Sequence, residues 1–304
     1  MKVLTFDSLN LDYVYRVEHF VQPGETLSAT SQAVNPGGKG LNQSIALARA
    51  GAEVYHAGCL GVGGESLGKL LRENGVDTSY LFPTDELQGN AVIQVEPSGQ
   101  NCILLFGGSN QCITSWQVDK TLAAFSEGDY LVLQNEVNDL PMIVEKAYER
   151  GMKIVLNPSP YNEKLSAVDF GKLSWLLVNE VEASQLLRCA ADGDPEQMLA
   201  QLHERYPNAM IVLTLGAQGA LCAHGGAIHR QPAVPVNAVD TTAAGDTFTG
   251  YFLAGVLEGQ NVPQALRYAS AAAAIAVTQP GAAPSIPTRK KVLSSGAFCD
   301  ILAE

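Results

Sequence analysis

The stretch Asp240-Thr241-Thr242-Ala243-Ala244-Gly245-Asp246-Thr247 sets small residues and two acids at the start of a helical run. Backbone N–H groups of Ala243, Ala244 and Gly245, added to the helix dipole, would form an anion pocket. What matters at Gly245 is the missing side chain, because a Cβ there would block a phosphate's approach. Asp246, in the first helical turn, would then stand beside the anion. A carboxylate in that place makes chemical sense as the acceptor of a proton from an attacking hydroxyl. An ordinary helix cap would also use Asp and Thr, but would not need the small residues between the two acids.

A second stretch, NPGGKGLN over 35–42, resembles a phosphate loop but fails that pattern, since Gly40 follows Lys39 where Ser or Thr is required. Its glycines allow backbone to approach a hydroxyl-rich ligand, and Asn42 can donate and accept; a plain turn before a helix has the same look. Asn10 and Asp12 follow the first strand, where ligands bind in open α/β sheets. Asn179-Glu180-Val181-Glu182 follows the strand WLLV and opens a helix, so it can order Mg²⁺-bound water or phosphate, or simply cap the helix. Thr214-Leu215-Gly216-Ala217-Gln218-Gly219 ends another strand with two glycines, a nucleotide loop or a turn.

These segments need elements that carry them to one place. KVLTF, AEVYHAGCLG, DYLVLQ, KIVLNPSP, WLLV and AMIVLTLG read as apolar strands alternating with helices such as ESLGKLLRENG and PMIVEKAYERG. That rhythm predicts a doubly wound, mainly parallel sheet with helices on both faces. The strand ends then converge on one sheet edge. NAVIQVEPSGQNCILLF and GALCAHGGAIHRQPA read as hairpins, and AGDTFTGYFLAGVLEG and PQALRYASAAAAIAVTQ as consecutive helices. The β-rich pieces at about 10–34 and 84–110 break the alternation and predict a small sheet acting as a lid. With no repeat, low-complexity tract or linker, 1–304 reads as a single domain.

Composition narrows the partners. Of 304 residues, 46% are hydrophobic and 16% charged, enough apolar material for a large core. Nineteen Lys and Arg against thirty-one Asp and Glu give a net charge of −12, a field that repels nucleic acid and anionic membranes. No apolar run approaches the roughly 20 residues that cross a bilayer, and the N-terminus lacks a signal-peptide core. The six cysteines are scattered without C-x-x-C, so the expectation is buried, reduced thiols in a cytoplasmic protein. His224 and His229 flank a Gly-Gly turn, read as a hairpin rather than a metal site.

Taken together, the chain resembles the ribokinase-like, or PfkB, family of sugar and nucleoside kinases. DTTAAGDTFTG at 240–250 is similar to that family's C-terminal signature and GGKGLNQ at 37–43 to its N-terminal one. SLNLD at 8–12, LQNE at 133–136, NPSP at 157–160, NEVE at 179–182, TLGAQG at 214–219 and AAAAIAVTQPGAAPSIP at 271–287 follow in order. The resemblance implies transfer of the ATP γ-phosphoryl group to a sugar hydroxymethyl group, with ribose as the expected sugar. It implies Asp246 as base and an anion hole at 243–246. It assigns the sugar to Asn10, Asp12, Gly38, Lys39, Gly40, Asn42 and Glu136. ATP would face Asn179, Thr214 to Gly219 and Ser270, and Mg²⁺ would travel with it near Glu182. A monovalent cation, K⁺, would sit against Asp240, Thr242, Ala276, Gln279, Gly281 and Ser285, and the lid would clasp a second subunit into a homodimer. Fructokinase, nucleoside kinase and a non-catalytic sugar sensor are the alternatives. Four positions depart from the family pattern: Asp7 where a small residue, usually Gly, is found, Leu41 for Ala, Gly63-Gly64-Glu65 lacking one acid, and Ser270 for His.

Overall fold

The computed structural model describes residues 1–295. In chain order the elements are β1 (Val3–Phe6), β2 (Asn10–Arg16), β3 (Ser31–Gly37), α1 (Lys39–Ala50), β4 (Val54–Val62), α2 (Glu65–Glu73), β5 (Asp77–Leu87), β6 (Asn90–Val95) and β7 (Asn101–Phe106). Then come α3 (Ser115–Leu122), β8 (Tyr130–Gln134), α4 (Leu140–Glu149), β9 (Lys153–Asn157), β10 (Trp175–Asn179), α5 (Glu180–Leu187), α6 (Pro195–Arg205) and β11 (Met210–Thr214). The chain continues with β12 (Ala220–His224), β13 (Ala227–Gln231), α7 (Ala244–Leu257), α8 (Val262–Val277) and α9 (Arg289–Leu293).

Nine strands form the larger sheet, in the order β13-β12-β11-β10-β9-β8-β1-β4-β5. Pairing is parallel from β11 through to β5, whereas β12 pairs antiparallel with both β11 and β13. The central strands are apolar on both faces because each face meets helices. Leu131 and Leu133 of β8 join one buried cluster with Ile143 of α4 and Leu199 of α6. Val132, between them, points into the other cluster with Ile45 of α1 and Phe252 of α7. Residues i and i+2 of a strand share a face, so alternate residues feed opposite layers.

Two contacts in the second layer position the site. Gly250 of α7 packs so closely on α1 that a Cβ there would lie 2.4 Å from the Ala46 Cβ. Asp246 lies one turn before Gly250, and Asn42 one turn before Ala46, so the close crossing brings those side chains face to face. Beneath α1, Ser44, Thr5 and His56 form a buried hydrogen-bond cluster, Ser44 Oγ lying 2.6 Å from Thr5 Oγ1 and 2.8 Å from His56 Nδ1. Burial pushes the His56 imidazole down to about 4, so it is neutral in the folded protein.

The second sheet has four strands, in the order β3-β2-β6-β7. The second half of the expected small sheet spans 84–110, but residues 84–87 belong to β5 of the larger sheet. Pro83 does not end β5, because β5 is an edge strand where a missing N–H costs little; it stays in register with β4, Leu60 opposite Pro83 and Val62 opposite Leu87. The cysteines differ from expectation too. Cys59 and Cys222 are buried and free, but Cys102 and Cys189 are exposed. Cys102 lies on β7, whose residues are all exposed. Cys299 lies outside the described residues.

Candidate active site

The carboxyl ends of the central strands open onto a cleft of about 240 Å³. Its lining combines Asn157 at the end of β9, Ser159 just beyond it, Asn179 and Glu182 at the start of α5, Thr214 of β11, and Thr241, Ala243, Gly245 and Asp246 at the start of α7, with Lys39 across from them. A larger hollow of about 530 Å³ near Arg49, Gln279 and Lys291 shares none of these residues and holds no pair of carboxylates. The smaller cleft is therefore the site with chemistry in it.

Ala243 caps α7 in the left-handed region, at φ 60°, which turns the chain so that the following amides start the helix. Nothing lies within 4 Å of where a Gly245 Cβ would be, so that side of the helix start is open to the cleft. Asp246 is buried, and both its oxygens are held from α1. Asn42 Nδ2 donates to Oδ2 at 3.0 Å, and Gln43 Nε2 donates to Oδ1 at 3.0 Å.

On the other side of Asp246, Glu136 Oε2 accepts the Lys39 backbone N–H at 3.0 Å and the Ser8 hydroxyl. Gly38, at φ +94°, makes the turn that aims this N–H, and a Cβ on Gly40 would lie 2.5 Å from the Asp7 Cβ. Burial pushes the Glu136 carboxyl up, and the nearby Lys39 ammonium only partly offsets this. Asp12 is raised to about 7 by burial and by the Glu136 charge, against the pull of Lys39. For Lys39, burial acts downward, but the carboxylates of Asp246, Glu136, Glu182 and Asp7 outweigh it and leave the ammonium more firmly protonated. One cation thus stands among several acids. That setting suits a ligand rich in hydroxyls, which can donate to every carboxylate.

Asp7 is a departure with a visible consequence. It is 1% exposed; its Oδ1 accepts the Ser8 N–H at 2.6 Å, while its Oδ2 has no partner. Burial, with Glu136 and Asp246 nearby, pushes its carboxyl well above the usual range. Asn10 is buried as well, its Oδ1 accepting from Asn110 Nδ2 at 2.7 Å.

At the start of α5, Asn179 and Glu182 make a reciprocal capping box. The Glu182 N–H donates to Asn179 Oδ1 at 2.8 Å, and the Asn179 N–H donates to Glu182 Oε2 at 3.0 Å. The helix-capping role open to this pair is therefore filled, and both residues still line the cleft. Thr214 reaches the cleft, whereas Leu215 is buried and Gly219 is needed for the hairpin: a Cβ there would lie 2.0 Å from the Gln231 carbonyl oxygen. Gly216, at φ +51°, has open space beside it, and Ala217 and Gln218 are exposed. Ser270 is buried within α8 and does not line the cleft.

The residues expected around a monovalent cation divide into linked groups. Asp240 Oδ1 accepts from Thr242 N–H at 2.9 Å and Thr242 Oγ1 at 2.6 Å, and Oδ2 accepts the Gly281 N–H at 2.8 Å. Burial pushes the Asp240 carboxyl up, but these hydrogen bonds outweigh it and leave it below the usual range. Gln279 N–H donates to the Ala276 carbonyl at 3.0 Å, and Ser285 Oγ donates to the Ala282 carbonyl at 2.8 Å. Asp240 thus ties 240–242 to 281. Among the described residues no cluster of three or more His, Cys, Asp or Glu forms a metal site. Nor is any helix among them long and apolar enough to cross a membrane.

Sequence reasoning missed five participants: Ser8, Gln43, Asn110, Gln134 and Asn157. Gln43 and Asn157 lay inside recognised motif runs, where their types and positions were the available signal. Asn110 gave none, because its contact with Asn10 spans 100 residues of chain.

A helix start open to the cleft, a buried carboxylate beside it and one ammonium among several acids are the arrangement that suits a phosphoryl-transferring α/β enzyme. The model of the pfkB family carbohydrate kinases matches residues 1–289. Ribokinase of Haemophilus influenzae is 36% identical over 305 aligned residues, covering 96% of this chain and 97% of its own. Among solved structures, Cryptococcus neoformans ribokinase in complex with ADP superposes with a TM-score of 0.84 at 35% identity, covering 96% of this chain and 98% of that one. Arabidopsis thaliana ribokinase complexed with ribose and ATP gives 0.81 at 29% identity, with 96% and 97% covered. The chain belongs to the pfkB family of carbohydrate kinases.

Proposed function

We propose that this kinase transfers the γ-phosphoryl group of ATP to the hydroxymethyl oxygen of ribose, giving ribose 5-phosphate and ADP. The observation that carries the reading is the placing of Asp246, buried at the start of α7, oriented by two amides from α1 and adjoining the open face of Gly245. The relatives named ribokinase, and the Arabidopsis complex with ribose and ATP, support ribose as the acceptor.

In this reading Asn10, Asp12, the 38–42 turn and Glu136 hold the sugar hydroxyls, with Lys39 balancing the acids. Asp246 takes the hydroxymethyl proton as the oxygen attacks the γ-phosphorus; the new O–P bond forms and the bond to the β-phosphate oxygen breaks. The amides of Ala243, Ala244, Gly245 and Asp246 face the charge that gathers on the transferring group. Asn179 and the exposed part of 214–219 face the nucleotide, and Ser270 supports that wall from within α8. Bound Mg²⁺ would neutralise phosphate charge beside Glu182, and K⁺ would be held by Asp240, Thr242, Ala276, Gln279, Gly281 and Ser285. The small sheet covers the sugar and limits attack by water.

The protein acts in the cytoplasm as a homodimer joined through the small sheet. Supporting this, the unpaired edge strand β7 carries Ile103, Leu104, Leu105 and Phe106, all exposed, with Leu104 at 72%. Such an apolar edge is a liability unless it is covered.

The test is Asp246→Asn, assayed for ADP release with Mg-ATP and K⁺ over ribose, deoxyribose, fructose and a few nucleosides. The wild type should respond to ribose, and the variant should bind ribose and ATP yet lose about 10²–10⁴ in turnover. Near-normal turnover in the variant would refute the base assignment, and a response to another sugar alone would refute the choice of ribose.

A further inference from the structure

The Asp246 carboxylate has more support than a proton acceptor needs for charge alone. Each carboxylate oxygen offers two lone-pair sites. With one site on each oxygen taken by α1, the remaining two have fixed directions. Asn42, on Oδ2, is the less firmly held anchor: its own Oδ1 is buried with no partner, so its amide is fixed only by Asp246 itself.

Gln43, on Oδ1, is different. It is fully buried, and its Oε1 accepts from Gln134 Nε2 at the end of β8. Its Nε2 also lies 3.4 Å from Asn157 Oδ1, and Asn157 is fastened in turn by Nδ2 to the Leu177 carbonyl at 3.0 Å. The direction of this chain is forced. Flipping the Gln43 amide would set its oxygen against the Asp246 oxygen and its nitrogen against the Gln134 donor, two repulsive contacts between buried groups. Charged neighbours cannot do the same work. Lys39 from α1, Glu136 beyond β8 and Asp7 at the end of β1 act on Asp246 at a distance and set no rotation.

We propose that Gln43 is a positioning residue, locked by Gln134 and Asn157, that fixes the rotation of the Asp246 carboxylate so that a free lone pair faces the sugar hydroxyl. The proposal rests on Asp246 being the base. A carboxylate free to turn would still bind its surroundings, but would meet the hydroxyl in the reactive geometry for a smaller fraction of the time.

The experiment replaces Gln43 by Met, which keeps length and removes both amide groups, and measures kcat and both KM values with ribose and Mg-ATP. The expected result is a loss in kcat of about 10- to 100-fold, the range of a lost hydrogen bond to a charged group, with KM for ribose and for ATP within about twofold of the wild type. The same substitution in an Asp246→Ala background should cost less than about twofold, because nothing remains to be oriented. If Gln43→Met fails to fold, Gln134→Met, which releases Gln43 without touching Asp246, should lower kcat with the same KM split. Unchanged kcat in a folded Gln43→Met, or a full extra loss in the Asp246→Ala background, overturns the proposal. Should Asp246→Asn itself retain turnover, the base reading fails first, and that outcome is read from Asp246→Asn alone.

Discussion

Gly245 and Gly250 lie on the same helix, and adding one methyl group to each should have opposite effects. At Gly245 the new Cβ meets nothing within 4 Å, and the residue's φ is not positive. Ala there relieves the entropy cost of a helical glycine, a gain of about 0.5–1 kcal/mol and a rise in Tm of about 1–3 °C. The methyl also fills the space from which the amides would meet the γ-phosphate. Losing one such donor typically costs about 10²–10³ in turnover, so Gly245→Ala should be at least as stable as the wild type and nearly inactive. At Gly250 the Cβ would lie 2.4 Å from the Ala46 Cβ and 2.8 Å from the Leu47 nitrogen. Those atoms belong to a packed helix and cannot swing aside. Overpacking there costs about 1–3 kcal/mol, more than the helical gain of about 0.5–1 kcal/mol, and it parts α1 from α7. Gly250→Ala should melt lower and turn over more slowly through the strained Asn42 and Gln43 contacts. Thermal melts and steady-state ADP release on both variants settle the matter. A Gly245→Ala enzyme with wild-type kcat would refute the anion hole at 243–246, and a Gly250→Ala enzyme of unchanged Tm would refute the close helix crossing.

Three further outcomes are expected. Asp12 is half ionised near pH 7, and its ionised form is the better acceptor of sugar hydroxyls; KM for ribose should fall between about pH 6 and 8, and Asp12→Asn should flatten that profile. The same upward shift means that the unfolded chain loses the Asp12 proton first, so this group's contribution to stability fades as pH rises from about 4 through 7. Asp240→Ala should abolish K⁺ activation while leaving KM for ribose within about twofold, since Asp240 joins 240–242 to 281 and touches no sugar residue; retained activation would place the cation elsewhere. Leu104→Glu should convert the dimer to monomer on size exclusion at micromolar concentration, and an unchanged elution volume would remove β7 from the interface.

The parallel core was legible because strands such as YLVLQ carry consecutive apolar residues, here Leu131 to Leu133, as a sheet covered on both faces requires. The start of α7 was legible from eleven adjacent residues, 240–250. What escaped depends on contacts between distant parts of the chain. Nothing near Asp7 in sequence says that it will be buried against α1, because its neighbours there are supplied by residues 40 and 136. The role of Gln43 could not be read from its place in GGKGLNQ, because its partners Gln134 and Asp246 lie 91 and 203 residues away in the chain. Residues 84–87 fall in the larger sheet and not the small one, because β5 runs on through Pro83 in register with β4 and strand-forming residues alone do not say which sheet a strand joins.

The pairing of β2 with β3 has a consequence for how the family's sugar site can change. Asn10 stands opposite Gly37 and Asp12 opposite Asn35, so the β2 residues proposed to reach the sugar are rungs of the antiparallel ladder that leads directly into the 38–42 turn. A slip of one residue would exchange Asp12 for Leu11 or Tyr13 at the substrate, turning every side chain of β2 to the other face. Point substitutions can therefore retune the sugar contacts, while insertions and deletions within 10–16 or 31–37 cannot be absorbed. Length variation has one harmless outlet, the connection over 17–30, which begins after the last rung at Arg16 and Ser31.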